Sequence, residues 1–348
     1  MKKTVLHILN SNSYSGAENV VITIINSLKK YDEQINCIYV SLDGPIANIL
    51  EEHNIKFEAI KRLGILEIRQ LVKKYNPDII HAHDFTASMM CVISGINRPI
   101  ISHLHNNSPW IKKYGIKSIS FLATCPFYKK ILTVSDSIIK EYVFGKYIKN
   151  KTETINNPID ISVVQEKVKN DKVQTNKYDI AFIGRLTEQK DPKRFIRIVK
   201  KLTQNNKNVK TVMIGDGILK NECIQLVKKE NLENNIDIRG FLSNPHSVLA
   251  ESKILCVTSL WEGYGLVAVE ALSLSKPVVA TAVGGLISIV DKKCGKLCSE
   301  DDEFLIELTK LINDENYYNG KAENALRKAK EINNIDYYIR KLCYIYSS

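Results

Sequence analysis

Two glutamates frame the most chemically telling stretch of this chain, Glu262-Gly-Tyr-Gly-Leu-Val-Ala-Val-Glu270, with seven residues between them. The first follows a β-branched run, Ile254–Val257, and the second falls on a helical pattern, Gly265–Leu274. Gly263 and Gly265 let a backbone approach a ligand closely and leave N–H groups pointing out of a helix N-terminus, a ready anion site. Glu262 would then meet neutral hydroxyls beside the anion. Glu270, about a turn and a half into the helix, would be placed for the vicinal hydroxyls of a ribose. A surface loop with one capping carboxylate is the plain alternative. The glycines, the preceding strand and the run Leu266-Val267-Ala268-Val269 weigh against it.

Gly184-Arg185-Leu-Thr-Glu-Gln-Lys190 directly follows the run Ile180–Ile183. A loop with one Arg and one Lys suits a diphosphate, because Arg offers a planar fork for two oxygens and Lys a compact point charge. A solvated basic turn would read the same. Ser15-Gly16-Ala17-Glu18 follows Val5–Leu9 and opens the first helical pattern, where Gly16 permits a tight turn against a ligand. His81-Ala-His83-Asp84 and His103-Leu-His105 each sit at the end of a strand, and alternation puts both members of each pair on one face. They have the look of a metal cluster, but Asp84 is the one nearby carboxylate. The expectation is no metal, with one histidine lining the site and the others hydrogen-bonded in the structure.

Two absences narrow the chemistry. No Asp-x-Asp occurs, so the usual carboxylate pair for a metal–nucleotide-sugar complex is missing. There is no Walker loop, and neither Gly284-Gly285 nor Gly215-Asp216-Gly217 completes a dinucleotide fingerprint.

Short apolar runs alternate with amphipathic stretches from end to end, which predicts parallel sheets wrapped by helices. The strands are expected at Val5–Leu9, Ile35–Val40, Ile79–His81, Ile100–His103, Lys130–Val134 and Thr154–Ile155. A second series follows at Ile180–Ile183, Thr211–Ile214, Ile236–Arg239, Ile254–Val257 and Pro277–Ala280. The interlude 161–178 is polar and without a strand signal until Ile180. The 348 residues therefore divide into an N-terminal domain (1–165), a C-terminal domain (166–330) and a terminal helix (331–348) expected to pack back toward the first. Ligands of such sheets bind at the carboxyl ends of the strands. No apolar run reaches the roughly 18 residues that span a bilayer. The opening Met-Lys-Lys-Thr-Val-Leu-His reads as a strand rather than a signal peptide. Eight scattered cysteines form no Cys-x-x-Cys pair, which fits a reducing cytoplasm.

The ordered set Gly184-Arg185-Leu186 with Lys190, Gly215-Asp216-Gly217, and Glu262 through Glu270 closely resembles glycosyltransferase family 4. Ser15-Gly16-Ala17-Glu18, His81-Ala-His, Ser102-His-Leu-His105-Asn, Val134-Ser-Asp and Asn156-Asn-Pro-Ile-Asp160 match the same family's first domain, in order. The resemblance implies the GT-B fold, two doubly wound Rossmann-like domains facing a central cleft, and transfer with retention of configuration. It implies a donor site of Gly184, Arg185, Lys190, Glu262, Gly263, Tyr264, Gly265, Leu266 and Glu270. Arg185 and Lys190 would hold the diphosphate, Glu270 the ribose, and Glu262 with the amides of Gly263–Leu266 the sugar and phosphate. Arg185, Lys190, Glu262 and His105 form the catalytic set, His105 approaching the donor sugar and Gly16 lying on the acceptor side. No metal or other cofactor is implied, so fixed cations would stabilise the leaving diphosphate. Relatives often carry Gly-Gly where this chain has Ser15-Gly16, which leaves the acceptor open.

The expected partners are a nucleotide-sugar donor, UDP-linked, and a saccharide acceptor, lipid-linked. Window 101–150 holds eight lysines against Asp136 and Glu141, interleaved with Trp110, Tyr114 and Phe121. This suits an anionic membrane surface, with Trp110 and Phe121 inserting; a nucleic acid or a solvated face would accept the same patch, and nucleic acid is not the expected partner. The expected setting is the cytoplasmic face of the cell membrane, in cell-surface polysaccharide assembly. A nucleotide-sugar epimerase on the same scaffold is the alternative enzyme, though Asp84 is a poor acid/base set. A non-catalytic basic membrane-binding module would leave Arg185, Lys190, Glu262 and Glu270 without purpose.

Overall fold

The computed structural model describes residues 2–169 and 177–347. The chain divides into two compact units: unit 1 is Met1–Ile159 with Asn334–Ser348, and unit 2 is Asp160–Asn333. The division thus falls at Ile159/Asp160. Part of the expected interlude, Ile161–Lys169, is helical in unit 2, and its residues 170–176 lie outside the described residues.

Unit 1 strands are β1 (Lys3–Ile8), β2 (Ile35–Leu42), β3 (Phe57–Ile60), β4 (Ile79–His83), β5 (Ile100–Leu104), β6 (Lys130–Thr133) and β7 (Thr152–Thr154). Those of unit 2 are β8 (Tyr178–Ile183), β9 (Thr211–Ile214), β10 (Ile236–Gly240), β11 (Ser252–Val257), β12 (Val278–Thr281) and β13 (Gly295–Cys298). Among the described residues, the sheet orders are β3-β2-β1-β4-β5-β6-β7 and β10-β9-β8-β11-β12-β13, and every recorded pairing is parallel. The fold class is the doubly wound α/β arrangement expected. Both orders reverse direction at a central strand, where crossover helices swap faces and loops part. Because helices cover both faces, central strands are apolar along their length: Ile180, Phe182, Ile254 and Cys256 join Phe195, Val199 and Phe304 in the unit 2 core.

Two strands are additions to the sequence reading, β3 and β13. Both are edge strands, each covered on one side only and so carrying polar residues, Glu58 and Lys296, within four-residue runs. The final helix, Ile335–Ser347, packs on unit 1. Tyr338, Ile339, Leu342 and Tyr346 are buried. Lys3 Nζ donates to the Tyr346 carbonyl at 3.1 Å, and Lys341 pairs with Glu153 at 2.5 Å.

One layer of the unit 1 sheet is unusual. His7 pairs in register with His81, and His83 with His103. Period-2 alternation adds His105 just beyond β5, so five imidazoles share one face, all buried. They form two hydrogen-bonded rows. In one, His105 Nε2 meets His83 Nδ1 at 2.9 Å and His83 Nε2 meets His7 Nδ1 at 3.1 Å. In the other, Tyr346 Oη meets His81 Nδ1 at 2.7 Å and His81 Nε2 meets His103 Nδ1 at 3.2 Å. Burial disfavours the charged ring, pulling His7 down to about 3 and His105 to about 4, the latter against the opposing pull of Glu18. His81, His83 and His103 fall well below 6.5 through burial and through each other.

These rings stay neutral in the folded chain but take up protons once unfolded. Their contribution is therefore present above pH 6.5 and lost as the pH falls from there toward the folded-state values near 3 to 4. Each ring held neutral contributes about 1.4 kcal/mol of destabilisation per pH unit in that window. Thermal unfolding with chelator present should show unit 1 losing stability steeply between pH 7 and pH 5, before most carboxylates titrate. A melting temperature flat across that range would refute the neutral buried cluster.

Candidate functional site

The carboxyl ends of β8 and β11, adjacent parallel strands, carry the two charged loops. After β8 the chain runs through Gly184 and exposed Arg185 to buried Leu186, makes a short 3-10 turn at Glu188–Lys190, and enters the helix Pro192–Asn205. Asp191 caps that helix, its side chain accepting from the Arg194 amide at 3.0 Å. The Gly215-Asp216-Gly217 turn after β9 braces this loop: Leu186 N donates to the Asp216 carbonyl at 2.8 Å, and Leu219 N to the Leu186 carbonyl at 2.9 Å.

The loop after β11 is fastened to the first one. Thr258 Oγ1 lies 2.9 Å from the carbonyls of both Lys190 and Asp191. Leu260 N donates to the Gln189 carbonyl at 2.8 Å, and Gln189 Nε2 to the Trp261 carbonyl at 3.1 Å. These bonds bring Lys190 Nζ to 2.5 Å from Glu262 Oε2, which also accepts from Ser259 Oγ at 3.2 Å. Both side chains of the ion pair are largely buried, at 17% and 12% exposure. Glu262 is held from behind as well. A Cβ at Gly284 would lie 1.6 Å from the Glu262 carbonyl oxygen, so the 284–285 turn can approach only as glycine.

Gly265 then starts the helix Leu266–Ser273 with φ +103°, a left-handed conformation that glycine adopts without strain. The Gly263–Leu266 backbone sits at that N-terminus. Tyr264 is 3% exposed, and burial raises its hydroxyl to about 12, so its side chain belongs to the core. Glu270 follows on the same helix, its Oε1 3.7 Å from His246 Nε2.

The structure thus unites Lys190 with Glu262 and places Gly184, Gly263, Tyr264, Gly265, Leu266 and Glu270 on the same group of loops in unit 2. The Arg185 carbonyl accepts from Thr187 N at 2.9 Å, while its guanidinium makes no hydrogen bond or ion pair among the described residues. Gly16 and His105 lie in unit 1: Gly16 is exposed at the start of the helix Gly16–Tyr31, and His105 is buried in the imidazole rows with its amide donating to Asp84 Oδ1 at 3.0 Å. Sequence reasoning missed His246, 7% exposed and held by Asn244 Oδ1 at 3.0 Å. The Asn244-Pro245 turn ahead of it was the available signal. It missed Thr258 and Ser259 too, since hydroxyls at a strand end carry no pattern. Trp110 and Phe121 need correction as inserting residues. Phe121 is fully buried, and Trp110 is half-buried edge-on against Phe85 at 4.7 Å. The exposed large side chains there are Tyr114, Ile116, Ile119, Phe127 and Tyr147.

Comparison with known proteins gives the same direction. Residues 163–330 match the family described as Glycosyl transferases group 1, and residues 14–163 match Glycosyltransferase Family 4. An uncharacterised glycosyltransferase of Methanocaldococcus jannaschii is 30% identical over 345 residues, covering 95% of this chain and 86% of that one. A Campylobacter jejuni α-1,4-N-acetyl-D-galactosaminyltransferase, named for a diphospho-undecaprenol-linked saccharide, is 24% identical, covering 91% and 90% of the two chains. Among solved structures, Anabaena HepE in complex with UDP and glucose superimposes with a TM-score of 0.85 at 22% identity, over 99% of each chain. With matches running from residue 14 to residue 330 and a relative of this identity along nearly its whole length, the chain belongs to the family 4 glycosyltransferases of GT-B fold.

Proposed function

We propose that this glycosyltransferase moves a sugar from a UDP-sugar to a lipid-linked saccharide with retention of configuration. Unit 2 holds the donor and unit 1 serves the acceptor side. The observation that carries the donor assignment is the pair of fastened loops: exposed Arg185, the Lys190–Glu262 pair and a helix N-terminus at Gly265 lie on adjacent strand ends. Support for the nucleotide comes from HepE, described with UDP and glucose, and for the acceptor from the name of the Campylobacter relative. In the reaction, the bond from the anomeric carbon to the phosphate oxygen breaks. The acceptor oxygen bonds the same carbon on the same face, and its proton passes to the departing phosphate. Arg185 and Lys190 stabilise the charge that develops on the diphosphate, where preorganised cations are most effective. Glu270 takes the ribose hydroxyls. Gly16, in unit 1, serves the acceptor. The setting is cell-surface polysaccharide assembly at the inner face of the cell membrane.

Membrane contact is part of the reading. No helix among the described residues is long and apolar enough to cross a bilayer. Around the helix Ile116–Thr124, however, Tyr114, Ile116 and Ile119 are 79%, 85% and 55% exposed beside exposed Lys112, Lys113 and Lys117. Each lysine near an anionic surface contributes about 1 kcal/mol, which salt screens, whereas apolar insertion is not screened.

Three outcomes test these statements. Arg185→Ala should weaken UDP binding by about ten- to a hundredfold, the loss of a charge-assisted contact, and abolish transfer, while His105→Ala leaves UDP affinity nearly unchanged; equal UDP affinity in wild type and Arg185→Ala refutes the donor site. Because no Asp-x-Asp is present, turnover should continue in excess chelator without magnesium or manganese. Restoration of a lost activity by either ion would overturn the role given to the two cations. Finally, Lys112, Lys113 and Lys117 changed together to Ser should release the protein from anionic vesicles in a flotation assay, and Ile116→Ser with Ile119→Ser should remove the binding that persists at high salt. Undiminished flotation of both variants would leave the patch a solvated face.

A further inference from the structure

The imidazole rows of unit 1 contain more than packing requires. Buried polar side chains ordinarily satisfy their hydrogen bonds, yet three ring nitrogens here have no partner: His7 Nε2, His103 Nε2 and His105 Nδ1. One ring nitrogen from each of His83, His103 and His105 lies within 4.8 Å of the other two. His105 is the member of this trio with measurable exposure, at 9%, against 1% for His83 and none for His103. The trio therefore has one side toward solvent, which the deeper group His7, His81 and His83 lacks.

We propose that His83, His103 and His105 form a binding site for a divalent transition metal, zinc being the best match. The ligand atoms are those that the outer rings leave over. His7 engages His83 Nε2, leaving His83 Nδ1 for the metal. His81 engages His103 Nδ1, leaving the unpartnered His103 Nε2. His105 supplies Nε2, already 2.9 Å from His83 Nδ1. Two ligand nitrogens on a tetrahedral zinc, with bonds of about 2.0–2.1 Å, are roughly 3.3 Å apart, so that pair needs to open by only a few tenths of an ångström.

The surroundings agree with the assignment in three ways. A metal-bound imidazole almost always donates its other N–H to a fixed acceptor, which sets its tautomer. For His83 and His103 those acceptors are in place, in His7 and His81, and Tyr346 fixes His81 in turn at 2.7 Å. Ligation requires a ring nitrogen with its lone pair free for the metal, and His103 Nε2 carries no hydrogen bond. A dication among neutral rings also needs nearby anions. Asp84 supplies one beside the site, its Oδ1 receiving the His105 amide at 3.0 Å. Imidazole ligands without thiolate select zinc, nickel, copper or cobalt over magnesium and calcium. The site takes no donor residue of unit 2 and shares only His105 with the catalytic set expected from the sequence; metal binding is measured without donor, so the two readings fail separately.

The test uses the full chain stripped with chelator, dialysed, and titrated with zinc or cobalt. One equivalent of metal per chain should bind. Bound cobalt should give the intense visible bands of a four-coordinate site without sulfur-to-cobalt charge transfer. His83→Gln or His103→Gln, checked for folding by circular dichroism, should weaken binding at least tenfold. His81→Gln, one ring further out, should weaken it by about ten- to a hundredfold, and His53→Gln on the surface should not change it. If the inner variants fail to fold, the wild-type cobalt spectrum decides alone. No bound metal, a sulfur charge-transfer band, the weak spectrum of an octahedral site, or unchanged affinity in folded His83→Gln and His103→Gln would each overturn the proposal.

Discussion

The contact between Lys190 and Glu262 governs the rest of unit 2. Two charges withdrawn from water hold together only if geometry is fixed around them, and removing one partner of such a pair typically costs about 3–5 kcal/mol. The fixing is done by backbone: Thr258, Leu260 and Gln189 bond across the two loops, and Gly284 admits a turn behind Glu262. These arrangements presuppose that β8 and β11 are parallel neighbours whose carboxyl ends face the same way. The cation of Lys190 is thereby shared with Glu262, while Arg185 stays uncommitted. Unit 2 thus presents one free guanidinium and one ammonium already oriented by its carboxylate.

Much of this could be read from residue order. The alternation of apolar runs located eleven of the thirteen strands among the described residues, because strands covered on both faces must be apolar throughout. The edge strands Phe57–Ile60 and Gly295–Cys298 escaped for the converse reason. At the site, Glu262 and Glu270 were conspicuous through their glycines. What joins them to their surroundings was not. Thr258, Ser259 and His246 act through distances set by folding, and no spacing along the chain encodes that His246 reaches Glu270. Phe121 shows the opposite failure: an aromatic among lysines suggests a surface, yet its side chain lies in the core against Phe85, Tyr128 and Tyr142, while neighbouring Ile116 and Ile119 take the exposed positions.

The two units solve the interior of a parallel sheet differently. Unit 2 fills it with aliphatic and aromatic side chains. Unit 1 places five histidines across β1, β4 and the end of β5, with ring centroids 5.1 to 5.4 Å apart along the rows and 4.2 to 5.5 Å apart between them. Hydrogen bonds between neutral rings replace part of the apolar contact. The sheet interior becomes directional, since in each ring–ring bond one nitrogen must donate and the other accept.

The helix Ile335–Ser347 is separated from the rest of unit 1 by the whole of unit 2 in sequence. A ribosome makes it only after the whole of unit 2. Throughout synthesis of residues 160–333, the nascent first unit therefore waits without Tyr338, Leu342 and Tyr346, the surface they cover stays open, and Lys3, His81 and Glu153 lack their partners on that helix. Domains usually fold in the order they are made. Here unit 2, continuous in sequence, can be complete while the earlier unit is still a partial structure that a chaperone could hold.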